Sequence, residues 1–152
     1  IADLYRRAYA PYIAAQRNAV DEVGRTDAGA IMASSDHLAQ VLDRVPAMLI
    51  PCVLGRPDVT GTQGALAGWY GSVLPAVWNF MLAARSRGIG TAWTTLHLQY
   101  EAEAAELLGI PDTVTQVAMT PIAYYTGDDF KPGTRRPAEE ITYLNGWKRQ
   151  FA

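Results

Sequence analysis

The stretch SVLPAVWNFMLAARSRGIG, residues 72–90, constrains this chain more than any other. Residues 73–84 are apolar on almost every side except at Asn79. A helix with no solvent face has to be covered all round, in a domain core or at a subunit interface. Ser72 is the expected N-cap, and Pro75 falls in the first turn, where proline is tolerated. Arg85 and Arg87 occupy the last turn, where cations suit the helix dipole, and Gly88 is the expected left-handed stop. With 152 residues, 49% of them hydrophobic, the chain is long enough to bury a core as one domain.

The flanking segments predict a mixture of helices and strands. Residues 1–20 read as a helix interrupted or kinked near Pro11, with Tyr5, Tyr9 and Tyr12 on one face. Residues 21–33 are polar and glycine-containing, and read as an exposed connection with at most a short helix. Ser35 is placed to cap a helix through Arg44 whose apolar stripe is Leu38, Val41, Leu42 and Val45, with Pro46 ending it. AMLIPCVL, residues 47–54, reads as one buried strand made irregular by Pro51. Residues 55–68 read as a surface loop. After the apolar helix come a strand over residues 91–98 and a helix over 101–108 that stops at Gly109. A second strand follows over 114–125, with Pro121 marking a bulge or an edge. The tail, residues 127–147, reads as loop with extended character near 141–144. Helices lie between strands without clean alternation of strand and helix, which predicts a three-layer α+β or α/β domain.

Gly88-Ile89-Gly90 looks at first like a phosphate loop. A dinucleotide fingerprint follows a strand and opens a helix, so that the helix N-terminus meets the pyrophosphate. Here the order is reversed, Trp93 stands at the third-glycine position, and the nearer helix end is the partially negative one. A dinucleotide loop is therefore excluded, and Gly88 is explained as a helix stop. No Cys-x-x-Cys, His-Glu-x-x-His or acidic metal loop occurs, and neither His37 nor His97 has a ligand partner in sequence, so no metal site is expected. Cys52, the single cysteine, reads as a core thiol, and Ser72 is not in a nucleophile elbow. Glu101, Glu103 and Glu106 read as a solvated helix face. A net charge of −2 points neither to nucleic acid nor to an anionic membrane surface. No apolar run approaches the roughly 20 residues of a bilayer span. The lone cysteine fits a reducing compartment, so a cytoplasmic location is expected. Two features are left over: the basic cluster Lys131, Arg135 and Arg136, and the aromatics Trp69, Tyr70, Trp78 and Trp93. Composition alone favours a solvated loop for the first and core for the second.

The succession GSVLPAVWNFMLAARSRGIGTAWTTLHL, EAAELLGIPDTVTQVAMTPIAYY and DFKPGTRRPAEEIT resembles the FMN-dependent nitroreductase family, over roughly residues 1–147. The order of features carries the resemblance: a buried central helix, a Gly-x-Gly turn, a strand, a short helix ending in LGIP, a second strand and an arginine-bearing tail.

The resemblance implies a single α+β domain over residues 1–152: a three-layer sandwich with a central mixed sheet flanked by helices, and the long helix at a homodimer interface. It implies FMN bound at that interface, with NADH or NADPH as electron donor and a nitroaromatic, quinone or similar flat acceptor. Catalysis then rests on the cofactor and on no titratable side chain. By position, Thr95 and Leu96 are expected to offer backbone N–H groups to the ring, with Trp93 and Thr94 beside it. Arg135, and less directly Arg136, is expected at the phosphate. Gly90 is expected to let the chain pass close to the cofactor, and residues 55–68 to gate the pocket. Family members open with an arginine-rich phosphate-binding segment and a later Asn/Gln-Pro-Trp stretch. Both are missing here, so the domain is expected to be truncated at its N-terminal side. Two alternatives remain open: other flavin chemistry on the same scaffold (dehalogenation, flavin fragmentation, ene reduction), or a non-catalytic dimerising module that binds flavin weakly.

Overall fold

A computed structural model describes residues 1–23, 28–127 and 135–150. Helix α1, Ala2–Val23, runs unbroken through Pro11. Helix α2, Ala28–Val41, continues into a 3₁₀ turn, Leu42–Arg44. Only residues 24–27 separate the two helices, so most of the expected connection is helical. Ser35 lies inside α2, where its hydroxyl donates to the Ile31 carbonyl (2.9 Å) instead of capping a terminus.

The two prolines expected to disturb strands reorganise the sheet. Strands β1, Ala47–Leu49, and β2, Cys52–Leu54, flank Pro51; β4, Val114–Gln116, and β5, Thr120–Tyr124, flank the stretch Val117 to Met119. β2 pairs antiparallel with β4, and β1 antiparallel with β5. Between the pairs Cys52↔Gln116 and Leu49↔Thr120, two residues on one side face three on the other. This one-residue slip is a bulge, and it sits where Pro51 has no N–H to give; the Val117 amide reaches the Pro51 carbonyl at 3.0 Å. One expected strand thus becomes two in each case.

Strand β3, Ile89–Thr91, pairs antiparallel with β5, giving the order β1-β5-β3. Every pairing among the described strands is antiparallel, where a mixed sheet is expected. The β3–β5 ladder stops at Thr91↔Ile122 and resumes in the same register at Thr94↔Met119. The two residues skipped, Ala92 and Trp93, lie opposite Pro121 and Thr120. Proline removes the donor there, so β5 tolerates Pro121 although it is the central strand. The expected strand over 91–98 is therefore the end of β3, a gap and the single bridge at Thr94, followed by a 3₁₀ turn, Leu96–Tyr100, which leads into helix α5, Glu101–Leu108. Gly109 closes α5 at φ +66°, as expected.

Helix α3, Gln63–Gly71, occupies the second half of the expected loop, because the Thr62 hydroxyl caps it by accepting from the Ala65 amide (3.2 Å). Ser72 ends α3; Val73 precedes helix α4, Leu74–Arg85, without a side-chain cap, and Pro75 lies in its first turn. Gly88 adopts φ +73°, the expected helix stop. Gly90 has another explanation than proximity to a cofactor. Within β3 a Cβ there would lie 3.2 Å from both the Ala123 carbonyl and the Tyr125 ring, so glycine lets β5 close in. The tail carries a short helix, α6, Ala138–Ile141, where loop is expected, and only its last residue falls in the stretch 141–144 expected to be extended.

The core gathers Tyr5, Tyr9, Ala39, Leu42 and Met119, joining α1, α2 and the sheet. Helix α1 packs on α2 and on the 3₁₀ turn Leu96–Tyr100, and α4 packs on β3. Cys52 is exposed, not a core thiol, because the break at Pro51 puts β2 at the margin of the fold. No helix among the described residues is long and apolar enough to cross a membrane.

Candidate functional site

The break in the β3–β5 ladder is where the site forms. Thr94 and Met119 exchange both backbone hydrogen bonds (3.0 and 2.8 Å), which fixes the chain just beyond the gap. The 3₁₀ turn then begins, and the Leu98 amide closes on the Thr95 carbonyl (3.0 Å). Among the described residues no backbone acceptor is assigned to the amides of Thr95 and Leu96. Donors at the start of a helical turn have no partner within the turn and are left for another group.

Those residues line a cleft of about 490 Å³ together with α1 and α2. Trp93, Thr94, Thr95 and Leu96 all contribute to its wall, alongside Tyr5, Tyr9 and Tyr12. Ser34, Ser35 and His37 of α2 complete its polar lining. No Asp, Glu, Lys or Arg is among the residues that line it. Trp93 also borders a second hollow with Trp78 and Asn79 of α4, so its indole stands between the cleft and the central helix.

The turn is held from several sides. Arg7 of α1 pairs with Glu103 (2.7 Å) and lies 4.0 Å from the centre of the Tyr100 ring. The Gln116 side-chain amide donates to the Glu101 carbonyl (3.0 Å), and Arg56 pairs with the Glu101 carboxylate (2.8 Å). At the α1–α2 junction the Tyr9 hydroxyl donates to Asp36 (2.7 Å), which also takes Arg17 (2.9 Å). Burial, and then the Asp36 carboxylate, raise the Tyr9 phenol above its ordinary pKa. Burial also raises that of Tyr5. Both phenols stay neutral over the physiological range.

His97, within the turn, is fully buried, and neither ring nitrogen has a hydrogen-bond partner among the described residues. Burial pushes its pKa down to about 4, against a smaller opposing pull from Glu101, so the ring is neutral at pH 7. An isolated polar residue in an apolar run gives no periodic signal, and sequence reasoning missed its burial. The tyrosine face was legible from its spacing; that it would line the same cleft as residues 93–96 was not.

Arg135 and Arg136 are exposed and do not line this cleft, so the described residues do not bring them together with Thr95 and Leu96. Lys131 lies outside the described residues. Of residues 55–68, expected to gate the pocket, the last six lie in α3, and none of the fourteen lines the cleft.

Comparison with known proteins bears on the fold and the family. A nitroreductase-like family protein from Bacillus cereus superposes with a TM-score of 0.54 at 19% identity, covering 75% of this chain and 61% of that one. A BluB-like flavoprotein from Clostridium difficile 630 superposes with a TM-score of 0.51 at 16% identity, covering 96% of this chain and 76% of that one. The chain thus spans about three fifths of the Bacillus protein, and at these identities the likeness shows the fold alone, an α+β nitroreductase-like one. The sequence profile of the Nitroreductase family matches residues 2–124, which is most of the chain, and the protein belongs to that family.

Proposed function

We propose that the cleft beside residues 93–96 is the ring side of an FMN site and that the protein is a flavin-dependent oxidoreductase. The observation that carries this reading is the pair of unassigned amides, Thr95 and Leu96, on a cleft whose lining holds no carboxylate, lysine or arginine. A flat, neutral ring with carbonyl and nitrogen acceptors fits such a wall. A phosphate does not, because no arginine or lysine lines the cleft to meet it. The phosphate is assigned instead to Arg135, with Arg136 as a second candidate, both on the exposed segment before α6.

Bound there, FMN would supply the redox chemistry, taking a hydride from NADH or NADPH and returning electrons to a nitroaromatic, quinone or similar flat acceptor. The chain's own part is to bind, orient and exclude. Backbone amides at Thr95 and Leu96 stabilise negative charge on a bound ring without a titratable side chain and without a proton to lose. Trp93 closes one flank. Tyr5, Tyr9 and His97 stay neutral around pH 7 and leave the ring's electronics to the amides. Helix α4, apolar and largely uncovered in the single chain, is assigned to a homodimer interface.

Titration of the purified protein with FMN, read by flavin fluorescence, tests this reading. Thr95→Ala is expected to change affinity little, because the proposed donor is main-chain. Thr95→Pro is expected to abolish binding, because it removes that N–H. Arg135→Ala is expected to cost about 1.5 kcal/mol, the lower end for a charged hydrogen bond, since the side chain is exposed. A protein that takes up no FMN, or binds it equally well in all three variants, would overturn the assignment.

A further inference from the structure

Along α1 the tyrosine face changes character from one end of the cleft to the other. Tyr5 is 3% exposed, Tyr9 8% and Tyr12 43%, yet all three line the same cavity. The Tyr5 and Tyr9 rings lie parallel with centroids 6.0 Å apart, and Asp36 holds the Tyr9 hydroxyl. These two form a fixed inner wall. Tyr12, one turn outward, stands at the solvent side, and among the described residues its hydroxyl has no hydrogen-bond partner.

The interior pair is explained by packing, since both belong to the core cluster. Tyr12 does not belong to it, so packing leaves its hydroxyl unexplained. Phenylalanine would provide the same ring. A phenol at the outer edge of a cleft lined by no carboxylate, lysine or arginine offers one O–H donor beside an aromatic face. That combination suits a flat ligand carrying a carbonyl or nitro oxygen, and it gives a phosphate no counter-charge.

We infer that Tyr12 is the residue that selects the electron acceptor, donating its hydroxyl hydrogen to a carbonyl or nitro oxygen of a flat molecule that enters past it. This rests on the flavin reading of the cleft and adds a specificity-determining residue to it. The cofactor is held by main chain at Thr95 and Leu96, and the acceptor is chosen by side chain on α1.

Equilibrium dialysis of the full chain against 1,4-naphthoquinone and against naphthalene tests the inference, in the wild type and in Tyr12→Phe, each with and without added FMN. Tyr12→Phe removes only the hydroxyl at a site nearly half exposed, so the fold survives it. Naphthoquinone affinity is expected to fall about three- to tenfold, the worth of one neutral hydrogen bond, while naphthalene affinity stays unchanged. The inference is overturned if the wild type takes up no quinone, if quinone affinity does not change, or if quinone and naphthalene fall alike. It is equally overturned if FMN affinity falls in parallel, which would put Tyr12 on the cofactor. Quinone uptake that depends on Tyr12, in a protein that binds no FMN, would sink the flavin reading and with it the role in acceptor selection, whereas FMN binding with quinone affinity indifferent to Tyr12 would sink this inference alone.

Discussion

Helices α1 and α4 are both rich in large apolar side chains, and the fold treats them differently. On α1, Leu4, Tyr5, Ala8 and Tyr9 are buried against α2 and the sheet, and the outward side carries charge, with Arg7 and Arg17 paired across to Glu103 and Asp36. On α4 only Val77 and Ala84 are buried, while Trp78 and Leu82 stay 56% and 55% exposed. Apolar composition reports that a surface needs covering; it does not report by what. An amphipathic helix such as α1 finds its cover within its own chain, whereas α4 shows one side to its own sheet and leaves another apolar side uncovered in the single chain.

The sharpest way to break this contrast is at the α1 side. Leu42 follows α2 with no exposed surface and packs in the cluster with Tyr5, Tyr9 and Met119. Leu42→Ala is expected to cost about 3–5 kcal/mol, through lost transfer energy and the cavity left behind. Urea unfolding measures it, and a loss under 1 kcal/mol would mean that this core is no better packed than the α4 face.

His97 is expected to have the next largest effect, through pH. Its pKa falls from 6.5 in the unfolded chain to about 4 in the folded one. Between those values the unfolded chain takes up a proton that the native state refuses, so acid favours unfolding. The contribution is complete above pH 6.5, shrinks as the pH falls and is gone near 4, for a total of about 3 kcal/mol. Unfolding curves at pH 7 and 4.5 for the wild type and for His97→Gln separate this from titrating carboxylates. Parallel pH profiles in the two proteins would show that His97 is not desolvated.

How much of this was legible in the sequence follows from the kind of signal each feature gives. Gly88, Gly109 and the helices they stop were readable because a left-handed terminus demands one residue type. The strand break at Pro51 and the ladder gap opposite Pro121 were announced by the prolines. Their outcome, a bulge in one ladder and a two-residue gap in another, depends on what the partner strand offers, which no local pattern states. Thr62 caps a helix where turn residues predict a loop, because a single capping hydroxyl is a weaker local signal than the glycines around it. Residues 93–96 entered through family resemblance. Their unassigned amides are a property of backbone pairing that side-chain chemistry does not show.

Gly88 gives a smaller test, at the junction of α4 and the sheet. Its φ of +73° costs any L-residue, although the space around its Cα is open. Gly88→Ala is expected to destabilise by about 1–2 kcal/mol, and Gly88→Asn by less, because asparagine tolerates the left-handed region. Equal losses in thermal unfolding would assign the cost to lost flexibility and not to backbone conformation.

The smallest expected effect on folding belongs to Leu82, and it bears most directly on the contrast between the helices. Leu82 is more than half exposed on α4, so Leu82→Ser removes little that the single chain buries. Unfolding of the isolated subunit is expected to shift within about 0.5 kcal/mol, as for surface substitutions in general. The proposed dimer predicts a different response in mass. Sedimentation is expected to show a two-chain species in the wild type and a shift toward one chain in Leu82→Ser, with the wild-type melting temperature alone rising with protein concentration. A wild type that sediments as one chain at every concentration would leave the α4 face uncovered, and its apolarity would then need another occupant.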